Sequence, residues 1–356
     1  MFDIGHPAHV HFFKNTIQEL NERGHETIIT TRDKDIELNL LDKYGFKYIN
    51  IGKHKPSIFG KAKAMIEFDY KIYNITKKFS PDILIGLCSP YLAHVSAAIR
   101  KPYISFWDTE DAKLNILLNY PFTDVICTPS CFLKKYGKKQ VYFKGYKELA
   151  YLHPEIFQPD TSVLRDLGLK DNEPFVILRL ISWAASHDIG LKGIKKTDDI
   201  IKNLEKYGRV FISSEKELGE EYQNYALDIS PDKFHSLLSY ASLYIGEGGT
   251  VSTEAALLGT PAIHIESNSK GEPTGDKCGN FLELRNKYHM LYFYSNQEEA
   301  LIKATEILDD KSSKANWQKK REDLLRDKIN VSRWMTDFID NYPESHIDYK
   351  NSLEEN

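Results

Sequence analysis

The sequence predicts an α/β protein made of two Rossmann-like, doubly wound parallel-sheet domains facing a central cleft. Three observations lead there. The chain has 356 residues, more than one hydrophobic core serves, because cores stop growing at roughly 250–300 residues and then divide. Short apolar runs alternate with segments of helical spacing, the pattern of parallel sheets covered on both faces. The alternation breaks at residues 145–159, where Pro154 and Pro159 stand, and this marks a hinge. The expected parts are residues 1–150 on the acceptor side, 151–330 on the nucleotide side, and a C-terminal helix and tail at 331–356.

Residues 1–4 read as a strand and 5–11 as a loop. Residues 12–23 read as a helix, because Phe12, Phe13, Ile17 and Leu20 recur at helical spacing. Gly24 stops it, and the strand at 26–31 closes a right-handed β-α-β unit. The first strand begins at Met1 itself, so a few further residues are expected ahead of it. The pattern continues with helix 36–44, strand 48–51, helix 61–79, strand 83–87, helix 91–100, strand 103–106, helix 112–119 and strand 124–127. In the second domain it gives strand 175–180, helix 197–206, strand 209–213, helix 232–240, strand 243–245, helix 250–258 and strand 262–265. Residues 317–339 read as helical, and the polar stretch after Tyr342 is expected to fray.

The formal net charge of −4 gives no global attraction to nucleic acid or to an acidic membrane, although a local patch can still supply one, and no nucleic-acid partner is expected. Cys88, Cys127, Cys131 and Cys278 form no C-x-x-C pair, and no apolar run approaches the roughly eighteen residues of a spanning helix. A cytoplasmic protein is expected, with the inner face of a membrane as the place of any peripheral contact. The segment 53–63 mixes lysines with Ile58 and Phe59; it reads as a solvated loop or as a contact with a membrane or lipid-linked acceptor.

The sharpest motif runs from Ile245 through Gly246-Glu247-Gly248-Gly249-Thr250 to Glu254, Gly259 and Pro261. It reads strand, glycine turn, helix, glycine stop. Gly248 and Gly249 let backbone approach an anion, and the N–H groups and dipole of the following helix favour negative charge. One helix end supplies only about 0.3–2 kcal/mol, so further donors are needed. Glu254, one turn in, either accepts bonds from two ribose hydroxyls or faces solvent. The motif is no G-x-G-x-x-G fingerprint, since Val251 replaces the third glycine, and no Walker lysine follows.

Three further groups can carry chemistry. His6, His9 and His11 follow the first strand, where an imidazole of ordinary pKa, about 6.5, can deprotonate a hydroxyl. They can equally cap or pack, and without a nearby carboxylate or cysteine they do not read as metal ligands. Asp108 and Glu110 stand beyond the strand 103–106 and can act as base or substrate ligand, or cap the helix from 112. Arg179, Ser182, Ser186 and His187 follow the strand 175–180 and can neutralise a departing diphosphate. Asp33-Lys34-Asp35 has the D-x-D form of metal-dependent sugar transferases but is placed to cap the helix from Ile36.

The Gly248 segment resembles the diphosphate-binding element of the GT-B glycosyltransferases, especially the bacterial enzyme that adds N-acetylglucosamine to lipid-linked muramyl peptide. It also resembles that of the hydrolysing UDP-N-acetylglucosamine 2-epimerases. In both, a glutamate five residues before the closing glycine binds ribose, and Glu254 stands five before Gly259. The opening Gly5–Phe13, Trp107-Asp108-Thr109-Glu110 and the run from Pro121 to Phe132 resemble domain of unknown function 354, over nearly the whole chain. These resemblances imply a GT-B fold and a metal-independent, inverting transferase. It would take a UDP-sugar as donor, with no other cofactor, and a glycan or lipid-linked acceptor of surface polysaccharide synthesis. They place His9 at the acceptor-side histidine, match Glu110 to the cleft glutamate of the epimerases, and liken His187 to the histidine in their corresponding loop. Phe234 or His235 would lie near the base, and Asn280 near the donor sugar. The epimerases carry an aspartate in a Gly-Asp-Thr element where this chain has Gly86-Leu87-Cys88-Ser89, so epimerisation ranks second. A non-catalytic nucleotide-sugar-binding protein on the same fold is the third alternative.

Overall fold

The structure, a computed structural model, describes residues 1–33, 36–53, 58–170, 172–182 and 191–354. Two compact units divide the chain, Met1–Tyr151 with Asn330–Asn356, and Leu152–Ile329.

In the first unit β1 (Phe2–Ile4), β2 (Ile29–Asp33), β3 (Ile49–Lys53), β4 (Leu84–Leu87), β5 (Tyr103–Phe106), β6 (Val125–Pro129) and β7 (Gln140–Phe143) form one parallel sheet in the order β3-β2-β1-β4-β5-β6-β7. The second holds β8 (Phe175–Leu180), β9 (Arg209–Ser214), β10 (Leu243–Gly246), β11 (Ala262–Ile265) and β12 (Leu291–Tyr294), ordered β12-β11-β10-β8-β9. The winding direction reverses between β1 and β4 in one sheet and between β8 and β10 in the other. Ligands of open α/β sheets bind beyond the strand carboxyl ends at such reversals.

The strands follow from their apolar content. Phe175, Val176, Ile177 and Leu178 are all buried, and only Arg179 and Leu180 emerge at the carboxyl end. Among the helices, Pro7–Glu22 starts with His6 as N-cap, whose Nδ1 accepts from Ala8 N at 3.1 Å, and Pro7 supplies a preset φ. Its face of Val10, Phe13, Ile17 and Leu20 is buried. The helix therefore begins five residues earlier than the apolar spacing alone predicts.

The C-terminal expectation is corrected. Residues 317–339 are two helices, Ser313–Asp327 in the second unit and Val331–Asp340 in the first. Asn330 separates them and caps the latter by accepting from Arg333 N at 3.2 Å. That helix packs on Pro7–Glu22, where Thr16 Oγ1 donates to Ser332 O at 3.2 Å and Arg23 bonds Asp337 and Asp340. The polar tail does not fray but forms the helix Glu344–Glu354. Tyr349 explains why: its hydroxyl accepts from Tyr142 N at 3.0 Å on the outermost strand β7, so the tail covers a sheet edge.

Candidate functional site

The glycine turn sits at the carboxyl end of β10, on the reversal of the second sheet. Gly246, at φ 155°, lies against β8 so closely that a Cβ would meet Arg179 O at 2.4 Å. Gly248 is the N-cap at φ 85°, ψ 108°, a left-handed conformation that a side chain disfavours, and it opens the helix Gly249–Leu257. No acidic residue occupies that first turn, so the positive end of the dipole at its leading N–H groups is not offset from within the helix.

Between the glycines, Glu247 was missed by sequence reasoning. It is buried, and its Oε2 accepts from Ile181 N at 2.8 Å while Oε1 accepts from Ile194 N at 2.7 Å. One carboxylate thus ties the chain leaving β8 and the chain returning from it to the glycine turn. Tyr244 reinforces the turn by donating its hydroxyl to Glu247 O at 2.9 Å.

Glu254 is not on a solvent face. It is buried, and its Oε1 lies 3.0 Å from His235 Nε2, itself buried on the helix Phe234–Tyr240. Phe234 is half-buried at the start of that helix, next to His235. Asn280 lies in the first turn of the helix Gly279–Asn286; its Nδ2 donates to Thr253 Oγ1 at 3.4 Å and its Oδ1 accepts from Phe281 N at 3.0 Å. Gly248, Gly249, Thr250, Glu254, His235, Phe234 and Asn280 are therefore gathered by three neighbouring helices of one unit.

The two terminal nitrogens of Arg179 donate to Ser213 Oγ, near the end of β9, and to Glu215 Oε1, just beyond it, each at 2.8 Å. Ser182 N joins the same carboxylate through Oε2 at 3.0 Å. Burial raises the Glu215 carboxyl pKa, but the Ser182 N–H and the Arg179 guanidinium outweigh it and hold the group below its ordinary value. Arg179 and Ser182 thus brace the mouth of β8 through Glu215, a partner invisible in sequence. His187 and Ser186 lie outside the described residues, as do Lys34 and Asp35 of the D-x-D triplet. The helix Glu37–Lys43 starts from Ile36 without a side-chain cap.

In the first unit the structure separates Asp108 from Glu110. Neither caps the helix Lys113–Asn119, whose N-cap is Ala112. Glu110 turns inward and accepts from Leu133 N at 3.2 Å. Asp108 stays half-buried and is bonded by Lys147 Nζ, a buried lysine that also lies 3.6 Å from Glu148. Burial acts to raise the Asp108 pKa, and the adjacent ammonium overrides it, keeping the carboxylate below its usual range. His9 is half-buried, with Nδ1 accepting from Gly5 N at 3.4 Å, and His11 is buried beside Tyr44 and Tyr151. His6, the exposed N-cap, and half-buried His9 each have Nδ1 held by a backbone N–H, whereas His11 is shut away from solvent. Among the described residues no three His, Cys, Asp or Glu side chains converge on a metal position.

Residues 1–329 match the family described as protein of unknown function (DUF354). An uncharacterized protein of Methanocaldococcus jannaschii is 28% identical over 274 residues, covering 73% of this chain and 80% of its own. Among solved structures, a UDP-N-acetylglucosamine 2-epimerase superposes with TM-score 0.64 at 13% identity, over 92% of each chain. The spinosyn forosaminyltransferase SpnP also gives TM-score 0.64, at 12% identity, covering 97% of this chain and 98% of its own. At such identities the likeness is one of fold.

Proposed function

The chain belongs to the DUF354 family and has the two-sheet α/β architecture of the GT-B fold, and on that premise we propose that it is a nucleotide-sugar enzyme, an inverting, metal-independent glycosyltransferase. The observation that carries the reading is the left-handed Gly248 turn at the β8/β10 reversal, followed by the buried Glu254–His235 pair. The N–H groups of Gly249 and Thr250 take the diphosphate, Glu254 takes the ribose hydroxyls, Phe234 lies toward the base and Asn280 toward the donor sugar. Both solved neighbours named above act, by their names, on activated or transferred sugars, which supports a nucleotide-sugar ligand.

In the proposed reaction, a base on the first unit removes the acceptor hydroxyl proton, the oxygen attacks the anomeric carbon, and the bond to the diphosphate breaks with inversion. Asp108 and His9 are the two candidates for that base. Glu110 is assigned instead to holding the Leu133 loop, because its carboxylate is buried and accepts from Leu133 N, whereas Asp108 and His9 are both partly exposed. The dipole of the helix Gly249–Leu257 stabilises charge growing on the departing diphosphate. The acceptor is a glycan or a lipid-linked sugar.

Calorimetry with UDP and UDP-sugars tests the reading. Binding at millimolar or better that weakens in Glu254→Gln supports it, and no binding by the intact chain removes it. Epimerisation is the second reading, since the fold likeness to an epimerase equals that to a transferase. Deuterium uptake at C2 of a UDP-N-acetylhexosamine in heavy water would move it to first place. Tight nucleotide-sugar binding with turnover of no acceptor would instead favour a binding protein.

A further inference from the structure

On the first unit, beyond β5 and β6, exposed apolar side chains and lysines concentrate in one region. In the helix Lys113–Asn119, Ile116 packs inward on the cluster of Trp107, Ile126 and Phe132. That orientation leaves Leu114 and Leu117, three positions apart, 67% and 69% exposed. The turn Tyr120–Phe122 continues the surface with two exposed rings, and the loop after β6 adds exposed Leu133. Helix and loop adjoin. The Tyr120 and Tyr136 rings lie 5.8 Å apart, and Lys139 Nζ stands 5.1 Å over the Tyr120 ring while donating to Tyr120 O at 3.1 Å.

The charge of this region opposes that of the whole chain. Residues 112–139 hold Lys113, Lys134, Lys135, Lys138 and Lys139 against one acid, Asp124, in a protein of net charge −4. Lys113, Lys135 and Lys138 are exposed. Exposed leucines grouped in this way signal a contact surface. Protein–protein interfaces are depleted in lysine. Leucines and aromatic rings set among lysines fit a bilayer surface, where apolar groups enter the acyl boundary and long lysines reach lipid phosphates. No helix among the described residues is long and apolar enough to cross a membrane, so the contact is one of lying on the surface.

We propose that the helix Lys113–Asn119, with the turn Tyr120–Phe122 and the 133–139 loop, docks the first unit on an anionic lipid bilayer. This surface is distinct from the 53–63 segment that the sequence suggested, and the proposal does not rest on the sugar-nucleotide reading. Co-sedimentation of the full chain with phosphatidylcholine vesicles, and with vesicles that also contain phosphatidylglycerol, tests it. The expected result is binding to the anionic vesicles alone, weakened by salt. Both Leu114→Ser/Leu117→Ser and Lys135→Glu/Lys138→Glu should lower it by at least about tenfold, each keeping the wild-type melting temperature, whereas Lys63→Glu should leave it unchanged. Absence of vesicle binding, or binding retained by both double variants, overturns the proposal. So does a wild-type dimer, formed without vesicle binding, that the leucine variant dissociates; this would give the surface to a second copy of the chain.

Discussion

His235 Nε2 lies 3.0 Å from Glu254 Oε1, and both side chains are buried. The pair joins the helix Phe234–Tyr240 to the helix Gly249–Leu257, so a carboxylate proposed to hold ribose is already oriented before ligand arrives. Glu254→Gln keeps the size but gives up charge-assisted acceptance, worth about 1.5–3 kcal/mol per bond. UDP affinity measured by calorimetry should fall by about tenfold to a hundredfold. Unchanged affinity in a folded Glu254→Gln protein would remove Glu254 from the site.

Two glycines of the turn separate fold from binding. At Gly246 an added Cβ meets backbone, Arg179 O at 2.4 Å, so strands β8 and β10 must part. At Gly248 the cost is chiefly the left-handed φ of 85°, with Ile181 Cγ2 at 3.1 Å able to give. Gly246→Ala should therefore lower the melting temperature strongly. Gly248→Ala should cost about 1–3 kcal/mol and lose most UDP binding. The idea fails if Gly248→Ala binds UDP as the wild type does.

Much of this was legible in advance, for identifiable reasons. β8 and β11 were found with their observed ends because Phe175-Val176-Ile177-Leu178 and Ala262-Ile263-His264-Ile265 are compact buried runs between clear breakers. β7 and β12, Gln140–Phe143 and Leu291–Tyr294, were not, because each is a four-residue edge strand, too short for its aromatic content to set a period. At the site the glycine turn was legible as a local pattern. Glu247 was not, since its two acceptors serve N–H groups 66 and 53 positions away. The partners of Arg179 and Asp108 were equally hidden, because Glu215 and Lys147 reach them only through the folded sheets.

Glu247 offers a test of that hidden layer. Glutamine has one carbonyl oxygen in place of two carboxylate oxygens, so Glu247→Gln sets an N–H₂ against either Ile181 N or Ile194 N. One buried donor is then unsatisfied, at about 1–3 kcal/mol. The melting temperature should fall, and UDP affinity should fall with it because the turn loses its brace. Thermal unfolding identical to the wild type would contradict this account of the carboxylate.

The Asp108–Lys147 contact distinguishes the two candidate bases. Lys147 is the group that holds the Asp108 carboxyl below its usual range against burial. Lys147→Met removes that support, so the carboxyl pKa rises. A base must be ionised, so the acid limb of the kcat/KM profile should move to higher pH if Asp108 takes the acceptor proton. Asp108→Asn should abolish turnover while UDP binding by the second unit persists. An acid limb unmoved in Lys147→Met, together with an inactive His9→Ala, would transfer the role to His9.

Lys314 gives a prediction in the second unit that is independent of any ligand. It sends Nζ to Ser239 O at 2.7 Å and to Ala241 O and Thr260 Oγ1 at 3.0 Å. This binds the end of the helix Phe234–Tyr240, which carries His235 at its other end. No carboxylate is among these partners, and burial lowers the lysine pKa from 10.5 to about 7. Between those two pH values the unfolded chain holds the proton and the folded chain does not. Stability therefore rises with pH across that window, by about 1.4 kcal/mol per unit for one such group, and the contribution is flat below it. Lys314→Met has no proton to exchange there. Denaturant unfolding at a series of pH values should show wild type gaining on the variant as pH climbs from 7 toward 10.5. A constant difference across the range would mean that the three oxygen acceptors keep Lys314 charged despite its burial.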